Sequence, residues 1–182
     1  MATSHTFDVL VIGSGASGLA AAVSAERSGA RVAVATKSSI QANNSSKAQG
    51  GIQAALGEDD SPALHAEDVM RSSHDTADPR LVEILTCEAP AAIHWLEELG
   101  CAFTRGNGGY RLARCGGASR RRLLQVGDRT GHAITKALRE SFEAGGGTAL
   151  PDHALLELAP GENGWTAFFR TKDGGRADVG RQ

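Results

Sequence analysis

The feature that most narrows what this chain can become lies in its first forty residues. Residues 7–12 (FDVLVI) form an apolar, β-branched run broken only by Asp8, which reads as a strand buried on both faces. Directly after it come Gly13-Ser14-Gly15-Ala16-Ser17-Gly18, three glycines in a GxGxxG spacing. Residues 19–28 are alanine-rich and suited to a helix, Gly29 is a stop, and residues 31–36 (RVAVAT) read as a second buried strand. Strand, turn, helix and strand in so short a span predict a right-handed βαβ unit with a parallel pair, and hence an α/β fold. The glycine spacing has a physical role there. Gly13 permits the tight turn, Gly15 lets a pyrophosphate approach the backbone, and Gly18 lets helix and strand pack closely. The backbone N–H groups at the helix start, Ala16 and Ser17 included, then favour anionic phosphate together with the helix dipole.

A dinucleotide turn of this kind is usually followed about 20 residues on by an acid for the ribose hydroxyls. Here the second strand ends in Thr36-Lys37. The Thr36 hydroxyl can bond a ribose, and Lys37 is either a phosphate-attracting charge or a solvated strand-end residue. The missing acid disfavours an NAD-binding module without choosing the cofactor. Residues 37–46 read as a polar loop. Residues 48–56 (AQGGIQAAL) open with a Gly pair. Two glycines let the backbone of Ala48-Gln49-Gly50-Gly51 press against a flat ring; the alternative is an ordinary turn into a helix.

Two helix starts follow, Ser61 with Pro62 and Asp78 with Pro79, each a cap residue before a proline at the first helical position. Leu81, Ile84 and Leu85 are expected as a core stripe. Pro90 is expected to kink or restart the helix, and Ile93, Leu96 and Leu99 carry the next stripe to Gly100, with Trp95 as core packing. Residues 106–117 read as a loop rich in Gly and Arg. Asp128 is expected as the N-cap, rather than part of a catalytic pair with Thr130, of a helix whose core face is Ile134, Leu138 and Phe142. Gly145 to Gly147 end it. The pattern then turns to strands over residues 153–158, 165–170 and from 176 on, with turns at 161–164 and 173–175, a β-meander. The end at Arg181-Gln182 interrupts an expected strand, so the sequence reads as truncated.

Composition excludes several classes. With 182 residues and a net charge of −2, there is length for one ordinary domain and no basic field to draw nucleic acid. No apolar stretch approaches the ~18 residues of a spanning helix, so direct membrane insertion is not expected. Cys87, Cys101 and Cys115 are odd in number and far apart, which reads as reduced core or near-core thiols in a cytoplasmic protein. The six histidines show no ligand spacing, and no metal site is expected. Arg111, Arg114, Arg120, Arg121 and Arg122 form a local basic cluster, either an anchor for a dicarboxylate or an acidic partner, or a solvated loop.

Three further segments carry a family resemblance. Residues 44–56, from Asn44-Ser45-Ser46-Lys47 through Ala48-Gln49-Gly50-Gly51-Ile52, resemble the AQGGI segment of the succinate dehydrogenase, fumarate reductase and L-aspartate oxidase flavoproteins. Gly116-Gly117-Ala118-Ser119 resembles their GGxS loop, and residues 127–133 (GDRTGHA) their DRTGHA helix start. The resemblance implies a Rossmann-like FAD-binding domain of the GR2 type, with the βαβ start and a terminal β-meander. In that family the FAD domain is split in sequence and a capping domain is inserted after its first half, so residues 1–182 are expected to be the N-terminal part, without the capping and catalytic domain. A hydride passes between FAD and a small dicarboxylate in that family, and most of the residues that hold the dicarboxylate lie further along its chains. This stretch is therefore expected to be inactive alone.

The resemblance also assigns residues. Gly13, Gly15, Ala16, Ser17 and Gly18 are expected at the pyrophosphate, Thr36 and Lys37 near the ribose, and Ser45, Ser46, Ala48, Gln49, Gly50 and Gly51 around the ring. Ala154, in the first meander strand, joins the set. Where membrane-bound relatives carry a histidine bonded to the flavin, four residues before the alanine of AQGG, this chain has Asn44. An amide cannot make that bond, so FAD is expected to be held non-covalently. L-aspartate oxidases place a Glu just before the GGxS glycines, and here that residue is Cys115, which favours succinate or fumarate over an amino-bearing substrate. An iron–sulfur subunit is implied by one branch of the family and a stand-alone enzyme by the other; the first would place a cytoplasmic protein against the inner face of a membrane. An inactive nucleotide-binding remnant is the remaining alternative.

Overall fold

Strand Val32–Ala35 is buried along its whole length because it is the centre of a parallel sheet. Val9–Ile12 pairs with it on one side, Val9 opposite Val32 and Ile12 opposite Ala35, and Thr148–Leu150 pairs on the other. The computed structural model describes residues 5–74, 76–106, 108–161 and 164–180. The chain divides into two units, residues 1–47 with 135–182, and residues 48–134.

In the first unit the expected βαβ start is present. Helix Ala16–Arg27 buries Leu19, Ala22 and Val23, a stripe at i, i+3 and i+4, and the chain leaves it through Gly29 at φ +87°. The first strand departs from expectation. It is shorter than residues 7–12 and only half-buried, with Ile12 44% exposed. It stands at the edge of the described sheet, where one side has no paired strand to cover it.

The meander is also present. Ala154–Gly161, Gly164–Arg170 and Arg176–Gly180 pair antiparallel in sequence order, and His5–Thr6 adds to the last of them in parallel. Ala167, Phe169 and Val179 of these strands pack with Ala35, Phe7 and Leu10 in one apolar cluster. Residues 162 and 163 of the expected 161–164 turn, and the chain end at Arg181 and Gln182, lie outside the described residues. Helix Thr130–Ala144 presents Ile134, Leu138 and Phe142 as a buried face.

The second unit is built on two helices, Pro62–Ser72 and Pro79–Glu98. Ser61 caps the first by accepting from Leu64 N–H at 3.2 Å, and Asp78 caps the second by accepting from Arg80 N–H at 2.9 Å. Strand Ile52–Gln53 pairs antiparallel with Leu123–Leu124, and Arg105–Gly106 with Gly109–Tyr110.

The Gly50–Gly51 pair leads into a strand, which removes the alternative of an ordinary turn into a helix. Four local expectations are corrected here. Pro90 does not restart its helix, which runs unbroken through it, with Thr86 and Ile93 buried on either side. Leu81, Ile84 and Leu85 are more than half exposed, because the helix turns Val82 and Thr86 inward, one residue out of phase with the expected stripe. Asp128 is not the cap: helix Thr130–Ala144 starts with Ala133 N–H donating to Arg129 C=O, which puts Arg129 at the cap position. Cys87 is exposed and Cys115 partly so, leaving only Cys101 as a buried thiol, its pKa pushed up to about 11 by burial and by Glu97.

Candidate functional site

The first unit holds a cleft of about 420 Å³ at the carboxyl ends of its parallel strands. That is where open parallel sheets bind ligands, and the volume is that of a small-molecule site. Gly13, Gly15, Thr36, Lys37 and Ala154 line it, together with Asn44. Five of the expected cofactor residues, drawn from three separate stretches of sequence, therefore meet at one surface.

The turn that forms its floor is held by backbone geometry. Gly13 has φ +108°, a conformation L side chains rarely adopt, and its N–H donates to Ala35 C=O at 2.8 Å. At Gly18 a Cβ would overlap the Gly13 carbonyl, so the helix can lie on the strand only without one. Gly15 is different. Its φ of −70° suits any residue, and an added Cβ would meet only Ser45 Oγ, at 3.3 Å. Space, not conformation, is what Gly15 supplies.

The neighbouring loop latches onto this turn. Ser45 Oγ accepts from Ala16 N–H at 3.1 Å, so Ser45 stands at the start of the first helix. Asn43 donates from Nδ2 to Ser14 C=O at 3.0 Å and accepts from Ser46 N–H at 2.8 Å. Ser46 spends its hydroxyl on the carbonyls of Gln41 and Asn43. Thr36 is buried, and its Oγ1 accepts from Ser14 Oγ at 3.3 Å, which leaves its own proton for a ligand hydroxyl or another acceptor. Ser14, Ala42, Asn43, His153 and Leu155 also line the cleft and were not anticipated. Asn43 alone carried a sequence cue, an Asn three residues before Ser46 at a cap position.

The cleft suits an anion with an apolar part. Lys37 is its cationic side chain, no Asp or Glu is among the described lining residues, and Ile12 offers exposed apolar surface. FAD, an anionic dinucleotide, fits that chemistry. Of the other residues expected at the cofactor in this unit, Ala16, Ser17, Gly18, Ser45 and Ser46 do not line the cleft.

Ala48, Gln49, Gly50 and Gly51 belong to the second unit. Gly51 has φ +127°, and a Cβ there would lie 2.5 Å from Leu124 C=O. A second cavity of about 420 Å³ is lined by Gly50, Gly51, Gln53, His65 and Cys115. Another of about 390 Å³ is lined by Gln53, His65, Asp68 and Gly116 to Ala118. His65 is buried, and its Nδ1 has no partner among the described residues.

The basic cluster resolves into different roles. Arg122 is completely buried, not part of a solvated loop, and ion-pairs with Asp60 and Asp68. Arg114 donates to Ala118 C=O at 3.1 Å and Arg120 to Asp59 C=O at 2.9 Å, while Arg111 and Arg121 are exposed.

A family model described as FAD binding domain matches residues 8–176. The chain is 39% identical, over 88% of its length, to L-aspartate oxidase of Streptomyces coelicolor, and covers 28% of that protein. It is 41% identical, over 73% of its length, to a fumarate reductase (CoM/CoB) subunit of Methanothermobacter marburgensis, covering 25% of it. Among solved structures, the Mycobacterium smegmatis Sdh1 complex is similar over 98% of this chain and 33% of that one, with a TM-score of 0.90 and 30% identity. The chain thus spans about a quarter to a third of each of these relatives.

Proposed function

The chain belongs to the FAD binding domain family, and from that membership we propose that it is the FAD-holding part of a flavoprotein oxidoreductase that passes hydride between the flavin and a small dicarboxylate. The observation that supports this most directly is the cleft at the ends of the parallel strands, where Gly13, Gly15, Thr36, Lys37 and Ala154 meet. Gly13 to Gly18 take the pyrophosphate, with Ser45 fixing the helix start beside it, and Thr36 and Lys37 take the ribose side. On sequence resemblance, Ala48 to Gly51 are assigned to the flavin ring. FAD supplies the two-electron carrier when bound; the glycine turn and Lys37 supply its anchorage.

Succinate or fumarate is the favoured substrate, because Cys115 stands where an aspartate oxidase has a carboxylate. The identity to L-aspartate oxidases favours the second reading, an amino-acid oxidase. An iron–sulfur partner subunit, and a cytoplasmic position at the inner face of a membrane, accompany the first reading only. Among the described residues no helix is long and apolar enough to cross a membrane.

The test is to purify the protein, record its visible spectrum and then precipitate it with acid. A flavin spectrum is expected, and all flavin should appear in the supernatant, because Asn44 offers no bond to hold it. A colourless protein that also fails to quench added FAD would sink the proposal, and flavin retained in the pellet would sink non-covalent attachment.

A further inference from the structure

Among the described residues of the second unit, Arg122 is a fully buried cation, and it is linked to two of the glycine-rich segments of that unit, Gly50–Gly51 and Gly116–Gly117. Arg122 donates from Nε and Nη2 to the two oxygens of Asp60, both at 2.8 Å, and from Nη1 to Asp68 Oδ2 at 2.7 Å. The same Asp68 oxygen accepts from the N–H of Ser119 at 2.7 Å and from its hydroxyl at 2.9 Å. Arg71 also pairs with Asp68, and it donates to Gly117 C=O at 3.2 Å. The Gly116 to Ser119 loop is therefore hung on Asp68.

The backbone around Arg122 carries the other segment. Arg122 C=O accepts from Ala54 N–H at 3.0 Å, Ile52 and Gln53 pair with Leu124 and Leu123, and Gln125 Nε2 donates to Gly50 C=O at 2.9 Å. One residue is thus tied by its main chain to the strand leaving Gly50–Gly51 and, through Asp68, by its side chain to the Gly116–Ser119 loop. Gln53 and His65 line both cavities that front these segments.

We propose that Arg122, acting through Asp68, is a positioning residue that sets the spacing between the Gly50–Gly51 segment and the Gly116–Ser119 loop. The proposed function assigns the first segment to the flavin ring and, by resemblance, places the second beside the substrate; the inference rests on that assignment for its purpose and on the geometry alone for the coupling. A guanidinium suits the task because its planar fork holds Asp60 with two parallel bonds while its third nitrogen reaches Asp68. A lysine offers a point charge and cannot fix both directions.

The coupling is tested in the full chain by amide hydrogen exchange over residues 50–54 and 116–119, in the unmodified protein, Arg122→Lys and Asp68→Asn. Arg122→Lys keeps a cation but not the planar fork that holds Asp60 and Asp68 at once, so it decides the matter if Asp68→Asn does not fold. In either variant exchange in both segments should rise together by about fivefold or more. Faster exchange in 116–119 alone, with 50–54 unchanged, overturns the coupling. In the FAD-loaded protein, Arg122→Lys should also alter the visible circular dichroism of the flavin. An unaltered flavin signal overturns the positioning role. An unmodified protein that takes up no FAD would fail the proposed function, while the exchange data would still decide the coupling.

Discussion

Single residues in this protein divide by what holds them in place. Gly18 is required by backbone against backbone, so Gly18→Ala forces helix and strand apart; a cost of about 1–3 kcal/mol is expected from the denaturant midpoint. Gly15 faces only the Ser45 hydroxyl. Gly15→Val should therefore cost about 1 kcal/mol of stability, as a poor cap residue, yet abolish FAD loading. Its side chain would separate the phosphates from several N–H donors, each worth roughly 1.5–3 kcal/mol. Fluorescence quenching of added FAD, read beside the thermal midpoint, separates the two effects. Arg122 is the opposite case. Arg122→Ala leaves Asp60 buried without its ion-pair partner and Asp68 with Arg71 alone, and a loss of about 3–5 kcal/mol is expected from urea unfolding.

Among the elements, helix Pro79–Glu98 shows most plainly how packing chooses between alternatives that a sequence leaves open. Its first half carries two apolar lines, and the one that is buried contains Val82 and Thr86. Leu85→Gln should accordingly change stability by no more than about 0.5 kcal/mol, whereas Ile93→Ala, at a fully buried position, should cost about 2–5 kcal/mol. Equal losses in urea titrations of the two variants would contradict this orientation. Pro90 belongs to the same argument. It removes a helix donor, and the helix persists because buried residues on both sides of it secure the packing. The start of helix Pro62–Ser72, in contrast, was legible from its cap: Ser followed by Pro is a local instruction, and Ser61 accepts the expected bond.

At the scale of the whole molecule, two buried groups give stability a pH dependence on the acid side. Burial, reinforced by the nearby Arg122 charge, holds the His65 imidazole below its ordinary pKa, against the opposing pull of Asp60 and Asp68. The unfolded chain takes up that proton near pH 6.5 and the folded chain only lower, so stability should fall as pH drops below about 6.5. Burial alone would raise the Asp68 carboxyl. The bonds from Ser119, Arg71 and Arg122 outweigh it and hold that carboxyl well below the usual range. Its contribution is present above the unfolded value of about 3.9 and is lost as pH falls from there toward the folded value. Thermal midpoints measured from pH 8 to 3 should show both declines, and His65→Gln should remove the first. A flat profile from pH 7 to 5 in the unmodified protein would refute the assignment to His65. What the sequence determined by itself was local: the strand, glycine turn and helix of the βαβ start, the capped helix starts, the meander, and five of the residues that line the cleft. These follow from backbone conformation and from periodicities read within a dozen residues. Tertiary structure alone decided which line of helix Pro79–Glu98 is buried, that Ser45 and Asn43 reach back to the glycine turn, and that Arg122 is an internal cation. Arg122 shows the physical reason. A guanidinium in an Arg-rich stretch belongs to solvent unless carboxylates meet it inside, and Asp60 and Asp68 lie 62 and 54 residues away along the chain, beyond any spacing that a local pattern can convey.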